Sequence, residues 1–270
     1  MQSGNKNFSD WKIKYLGWSG FCIHNNDDTH IFIDPPKGTY FPPEVKIIIF
    51  ITHGHPEHLG GSLDRIKQNV IGGRTRIIAS KTIVTYLKGI CQCSNVEFFK
   101  VKPEQRFILT PYLSFEVFEW QHMPLLPPDF GVAVLYILRI LKKFREAWRI
   151  IKMSLNGPLG PGRMLGYTLH LLGNKNIIIY GEGLHRQSCV EDISAIGHRV
   201  PGATLLVASE PEDTNQLPTL VMASGASEIF LYEPHSPWRD LFSLPHIDLH
   251  ALKRTLLSKG LNVTIPKIEM

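Results

Sequence analysis

The sequence predicts an α/β protein in which helices cover β-sheet, and three observations carry that expectation. Residues 46–51 form a continuous β-branched and apolar run too short for a helix, which reads as a central strand buried on both faces. The segments that follow alternate helical and strand periods, the pattern of helices packed against a sheet. The second half of the chain returns to the strand-rich style of the first. A chain of 270 residues with 43% hydrophobic content is ordinary for one soluble globular domain with a full core, and a single domain over 1–270 is expected.

In order along the chain, a polar tail at 1–11 precedes short strands at 12–16, 21–24 and 31–34. Turn residues separate these strands, Gly17-Trp18-Ser19-Gly20 and then Asn25-Asn26-Asp27-Asp28, giving an opening meander. The run 46–51 ends at Thr52, directly before a group of histidines. A helix is predicted at 57–68, a strand at 76–79, a helix at 81–88 and a strand at 96–101. Residues 107–109 and 113–120 resume the strand pattern, as do 166–172 and 176–180, joined by a Gly173-Asn174-Lys175 turn. Later core strands are expected at 204–208 and 228–232, with helices at 217–223 and 248–258.

The segment 124–162 departs from the rest. Between Pro124-Leu125-Leu126-Pro127-Pro128 and Gly157-Pro158-Leu159-Gly160-Pro161-Gly162, the residues Val134, Ile137, Leu138, Leu141, Phe144, Trp148 and Ile151 fall on one stripe at three- and four-residue spacing. Arg139, Lys142, Lys143, Arg145, Arg149 and Lys152 lie mostly off it. The spacing predicts an inserted basic amphipathic helix over 132–153, as a lid or interface element. Such a stripe packs on the protein's own core or on a second copy in a homo-oligomer, or it lies in an anionic membrane interface.

Bulk properties narrow the function less. A net charge of +5 and a pI near 9.0 suit nucleic acid, a membrane surface or an anionic substrate without selecting one. The four cysteines, Cys22, Cys91, Cys93 and Cys189, match neither a zinc knuckle nor a small disulfide framework, which points to a reducing, cytoplasmic compartment. The N-terminus has no apolar run of signal-peptide type. The most apolar stretch, 130–141, is about 12 residues long, well short of the roughly 20 that span a bilayer.

The chemistry concentrates after the strand 46–51. His53, His55, Glu57 and His58 place four potential ligands within six residues, and side chains so close in sequence converge only on something small. Imidazole nitrogen and carboxylate oxygen suit zinc, iron or manganese. A histidine-rich loop in solvent is the alternative.

His53-Gly54-His55-Pro56-Glu57-His58 resembles the His-x-His-x-Asp-His signature of the metallo-β-lactamase superfamily, with glutamate in place of the usual aspartate. Tyr15-Leu16-Gly17-Trp18-Ser19-Gly20-Phe21 and Ile33-Asp34-Pro35 are similar to the first strands and buried Asp of the branch containing L-ascorbate-6-phosphate lactonase and N-acyl-phosphatidylethanolamine phospholipase D, where His often stands in place of Trp18. Gly166-Tyr167-Thr168 and Ile177-Ile178-Ile179-Tyr180-Gly181-Glu182-Gly183 resemble that branch's strand ending in Gly-Asp, again with Glu for Asp. The resemblance spans roughly 12–236 and implies a four-layer αββα sandwich, two mixed β-sheets face to face with helices outside.

Carried over residue by residue, the resemblance implies a first metal site of His53, His55 and His122 and a second of Glu57, His58 and His235. Glu182 would bridge the two, and Asp34 would stand behind the ligand loop. One or two divalent ions are implied, zinc first, with manganese or iron as alternatives. The implied activity is hydrolysis by a metal-bound hydroxide of an ester, lactone, amide or phosphodiester bond, with Glu57 and Glu182 as the catalytic carboxylates. His185, just after Gly183-Leu184, is a candidate substrate contact or else a solvent-facing helix start. The basic amphipathic segment suggests a small-molecule or lipid-like, amphiphilic substrate and peripheral membrane contact through 132–153. A degenerate or redox metal-binding protein of the same fold is the alternative; a nuclease ranks last, because no basic stripe with interleaved aromatics exists outside the one helix.

Overall fold

The strands assemble into two mixed sheets in the computed structural model, which describes residues 11–25, 29–68, 74–91, 94–124, 126–155, 158 and 162–269. The first sheet holds β1 (Lys12–Gly17), β2 (Gly20–His24), β3 (Thr29–Ile33), β4 (Lys46–Phe50), β5 (Thr75–Ala79) and β6 (Val96–Lys100) in sequential order. The pairs β1–β2 and β2–β3 are antiparallel, and from β3 to β6 the strands run parallel. Parallel neighbours need a crossover, which α1 (Pro56–Lys67) and α2 (Lys81–Ile90) provide for β4–β5 and β5–β6.

The second sheet repeats the plan. It holds β7 (Arg106–Thr110), β8 (Leu113–Glu119), β9 (Leu165–Leu171) and β10 (Lys175–Ile179), antiparallel throughout. Between β8 and β9 lie the helices α3 (Phe130–Lys142) and α4 (Phe144–Leu155). Parallel strands β11 (Thr204–Ala208), β12 (Glu228–Tyr232) and β13 (Asn262–Thr264) complete the sheet. Their connections carry α5 (Val190–Gly197), α6 (Leu217–Ala223), α7 (Ser236–Phe242) and α8 (Leu249–Leu257).

The apolar alternation explains the layers. In β4, Ile48 and Phe50 enter the core between the sheets, whereas Ile47, Ile49 and the following Ile51 join the core under α1 and α2. In β8, Leu113, Phe115 and Val117 point between the sheets, and Phe118 joins the outer core beneath α5, α6 and α8. Across the middle, Phe50 meets Phe115 and Tyr167 edge-on at centroid distances of 5.0 and 4.9 Å. The result is a four-layer αββα sandwich, with both faces of each sheet covered.

The insert differs from the expected continuous helix. The chain breaks at Lys143 (φ −114°, ψ 46°), giving two helices instead of one. Its stripe does not pack on the protein's own core: Leu141, Phe144 and Trp148 are 57%, 60% and 53% exposed. The elements α5, α7 and β13 are present in addition to those expected. Parts of the expected tail and turns, at 1–10, 26–28, 156–157 and 159–161, lie outside the described residues, as do Leu125 and Cys93. Among the described residues, no helix is long and apolar enough to cross a membrane.

Candidate metal centre

Ends of strands from both sheets converge on one rim. Asp34 follows β3, His53 and His55 follow β4, Glu182 follows β10, Glu210 follows β11 and His235 follows β12, so the parallel strands deliver these side chains at their carboxyl ends. This is where open α/β sheets build sites. His122 arrives from β8 on the opposing flank of Glu182.

Asp34 fastens the ligand loop from behind. It is buried, and its backbone is left-handed at φ 40°. One carboxylate oxygen accepts from the Thr52 backbone N–H at 2.8 Å; the other accepts from the Thr52 hydroxyl at 2.6 Å and lies 2.9 Å from His58 Nδ1. The start of the loop and the first turn of α1 are thus tied to one residue. Helix α1 can approach that closely because of Gly61, whose N–H donates to Pro35 O at 2.8 Å. A Cβ at Gly61 would sit 2.6 Å from the same oxygen.

Glu182 is the centre of the cluster. Its Oε1 lies 3.3 Å from His58 Nε2 and 3.2 Å from His235 Nε2, and accepts from the Ser19 hydroxyl at 3.3 Å. Its Oε2 lies 3.6 Å from His122 Nε2 and 4.0 Å from His53 Nε2. His53 Nε2 is in turn 3.1 Å from His55 Nδ1. Ligand atoms held about 2.0–2.2 Å from a tetrahedral ion stand roughly 3.3–3.6 Å apart, so this spacing fits a metal shell. Two sets gather their donor atoms within 4.8 Å of one another: His53, His55 and His122, and His53, His58 and Glu182.

The donors also need something that the protein does not supply. Both Glu57 oxygens, His122 Nε2 and Glu182 Oε2 are buried without a hydrogen bond among the described residues. Buried polar atoms left unpaired are costly, and a cation would satisfy them. The residues present therefore fit a divalent metal.

Electrostatics divide the histidines. Burial, with His58 and other histidines nearby, pushes His55 down to about 4 and His53 well below its usual value, which keeps both neutral as ligands must be. Burial also opposes charge on His58, but the Asp34 and Glu182 carboxylates outweigh it and raise His58 to about 10. His235 is raised in the same way by Glu182 and Glu210, against burial. Glu182 is held well below the usual carboxylate range, because His235 and His58 overcome its desolvation. Glu57 is raised by burial.

The site has a closed back and an open front. The side chains of Asp34, His53, His58 and Glu182 are essentially inaccessible, whereas those of His55, His122 and His235 are 30%, 19% and 15% exposed. An aromatic pair flanks the front: Trp238 stacks on His235 at 5.5 Å, and Trp18 meets Trp238 edge-on at 5.8 Å. Trp18 is the residue that departs from the histidine of the resembled branch.

His53, His55, His58, His122, Glu182 and His235 therefore come together, with Asp34 behind them. Glu57 sits in the first turn of α1, its Oε1 3.9 Å from His55 Nδ1. His185 is placed otherwise than either expectation. It is fully buried, its Nε2 lies 2.7 Å from Gln121 O and its Nδ1 accepts from the Gln187 N–H at 3.2 Å, so no ring atom is left for a substrate or for solvent. It ties the His122 loop to the Glu182 loop. Sequence reading missed Glu210 and Arg239: Glu210 Oε1 lies 2.8 Å from His235 Nδ1, and its other oxygen accepts from Arg239 Nε at 2.6 Å. The available signal was Glu210's position just past a core strand.

No family model matches the chain. A UPF0173 metal-dependent hydrolase of Methanosarcina mazei is 34% identical over 88 residues, covering 30% of this chain and 35% of the relative, so the match spans about a third of that protein's length. Among solved structures, a Parabacteroides distasonis protein described as a metal-dependent hydrolase superposes with a TM-score of 0.59 at 17% identity, covering 96% of this chain and 94% of that one. The metallo-β-lactamase fold protein YhfI of Bacillus subtilis gives 0.58 at 12% identity, covering 94% and 91%. Likeness of this extent establishes that the chain has the metallo-β-lactamase fold.

Proposed function

We propose that this chain is a metal-dependent hydrolase with a two-ion centre, acting on an ester, lactone, amide or phosphodiester bond of an amphiphilic substrate. The observation that carries the reading is the division of Glu182, one oxygen facing His58 and His235 and the other facing His53 and His122. His53, His55 and His122 would hold one ion, Glu57, His58 and His235 the other, with Glu182 between them. Nitrogen and oxygen donors without thiolate suit zinc, and also manganese or iron. Bound divalent ions lower the pKa of a coordinated water toward neutrality and polarise the substrate oxygen. The name of the Methanosarcina relative supports the same class of activity.

The protein's own residues divide the remaining work. His235 is oriented by Glu210, which Arg239 grips in turn, so the ring presents Nε2 to the centre. Outer partners of this kind fix ligand tautomer and direction. Glu57, held in the first turn of α1 beside the ligand loop, would be the carboxylate that orients the attacking water and relays its proton toward the leaving group. The buried back excludes water, and substrate enters past His55, His122 and His235. Trp18 and Trp238 offer an apolar wall beside that entrance, which favours a substrate with an apolar portion next to its scissile bond.

The test is metal analysis of purified protein after supplementation, with His53→Ala and Glu182→Ala beside the wild type. We expect close to stoichiometric metal in the wild type and large losses in both variants. On a panel of generic phosphodiester, lactone and acyl substrates, activity should follow metal content. Substoichiometric metal in the supplemented wild type, or activity unaffected by both substitutions, would overturn the reading.

A further inference from the structure

We infer that the exposed face of α3 and α4 is a docking surface for an anionic lipid bilayer. Large apolar residues exposed singly are normal on protein surfaces, but here they are concentrated. Ten of the nineteen exposed large hydrophobics among the described residues lie between Phe130 and Ile151. On α4 the geometry is specific. Phe144, Trp148 and Ile151 form one exposed row, Phe144 stacks on Trp148 at 6.2 Å, and Arg145, Arg149 and Lys152 form a parallel exposed row one residue over, about 100° around the helix. An apolar row bordered by basic side chains that can extend along it is the arrangement of a helix lying in the headgroup region.

Side chains of α3 and of the break at Lys143 tie the two helices to the rest of the protein. On α3 the inward residue is Tyr136, buried, whose hydroxyl donates to Glu212 Oε1 at 2.7 Å. Arg139 donates to Ser243 O at 2.7 Å, and Lys143 Nζ donates to Leu241 O. These two cations are therefore engaged at the end of α7. Lys142, Arg145, Arg149 and Lys152 are the other exposed cations of the two helices.

Charge selects the occupant. Residues 130–152 contain six Lys/Arg and one acid, Glu146. A second copy docked symmetrically would set the two basic sets against each other, since a two-fold contact brings the same patch to both sides. A nucleic acid would leave the apolar row unused. An anionic bilayer answers both rows, and with no membrane-crossing helix among the described residues the contact is peripheral.

Vesicle binding is read without turnover, so this inference stands or falls apart from the hydrolase reading. Full-length protein is floated with phosphatidylcholine vesicles, with and without phosphatidylserine. Binding is expected only with phosphatidylserine, and it should weaken as salt is raised. Replacing Lys142, Arg145, Arg149 and Lys152 with Glu should reduce affinity about 100-fold or more. Phe144→Ser with Trp148→Ser should abolish binding with the basic row intact, and circular dichroism should be unchanged in both variants. Absence of flotation with the mixed vesicles overturns the inference. So does charge reversal without effect, or a dimer in sedimentation velocity that Trp148→Ser dissociates while the wild type binds no vesicle.

Discussion

Asp34 concentrates the residue-scale logic of the site. A non-glycine residue in the left-handed region costs roughly 1–3 kcal/mol and persists where its surroundings over-determine it. Here the Thr52 amide, the Thr52 hydroxyl and His58 fix its carboxylate from two directions. The charge matters as well as the shape, because Asp34 orients His58 and makes its Nε2 a better ligand. Asp34→Asn keeps the size but gives up the charge and one acceptor. We expect a folded protein whose zinc affinity is about 10–100-fold weaker, the usual loss when a partner behind a metal ligand is removed. Competition against a chromogenic chelator measures this, and unchanged affinity would reduce Asp34 to a structural role.

At the scale of elements, α1 and α2 are built alike but tolerate change differently. Gly61 faces backbone: a Cβ there would meet Pro35 O at 2.6 Å and Pro36 O at 2.7 Å, so α1 would have to move away from the Asp34 loop. Gly89, exposed near the end of α2, has nothing within 4 Å of an added Cβ. Gly61→Ala should therefore destabilise by about 1–3 kcal/mol and lower metal retention. Gly89→Ala should stabilise by about 0.4–1 kcal/mol and leave metal binding alone. Chemical denaturation with parallel metal analysis compares them, and equal effects would refute the account. The same contrast explains what was legible in the sequence. A strand such as Thr204–Ala208 announces itself because both its faces are buried, and the 53–58 loop because its ligands are adjacent. The break at Lys143 has no proline or glycine to mark it, and the partners of Tyr136, Arg139 and Lys143 beside it lie 76 to 104 residues away in the chain. Glu210 and His185 owe their roles to partners 25 and 64 residues away, which local patterns do not encode.

Over the whole molecule, two sheets of similar plan bring strand ends from both halves to one rim, so the metal centre is also a store of folding energy. Without metal, the cluster is held together by protons. His58 is raised to about 10 by Asp34 and Glu182, against about 6.5 in an unfolded chain. His235 is raised by Glu182 and Glu210. A group with a raised folded pKa contributes stability that is complete below the unfolded value and is lost as pH climbs through the folded one. Glu182, held low, acts at the other end: its contribution is present above the ordinary carboxylate range and is lost in acid. The metal-free protein should therefore lose stability from about pH 7 to pH 10, with the melting temperature falling by about 5 °C or more. Bound metal replaces those protons, so its stabilising effect should grow over the same interval and the two melting curves should diverge. Differential scanning calorimetry on chelated and zinc-loaded protein tests this. A chelated protein whose melting temperature stays level or rises toward pH 10 would mean that the carboxylates do not hold protons on His58 and His235, and the electrostatic account of the cluster would fail.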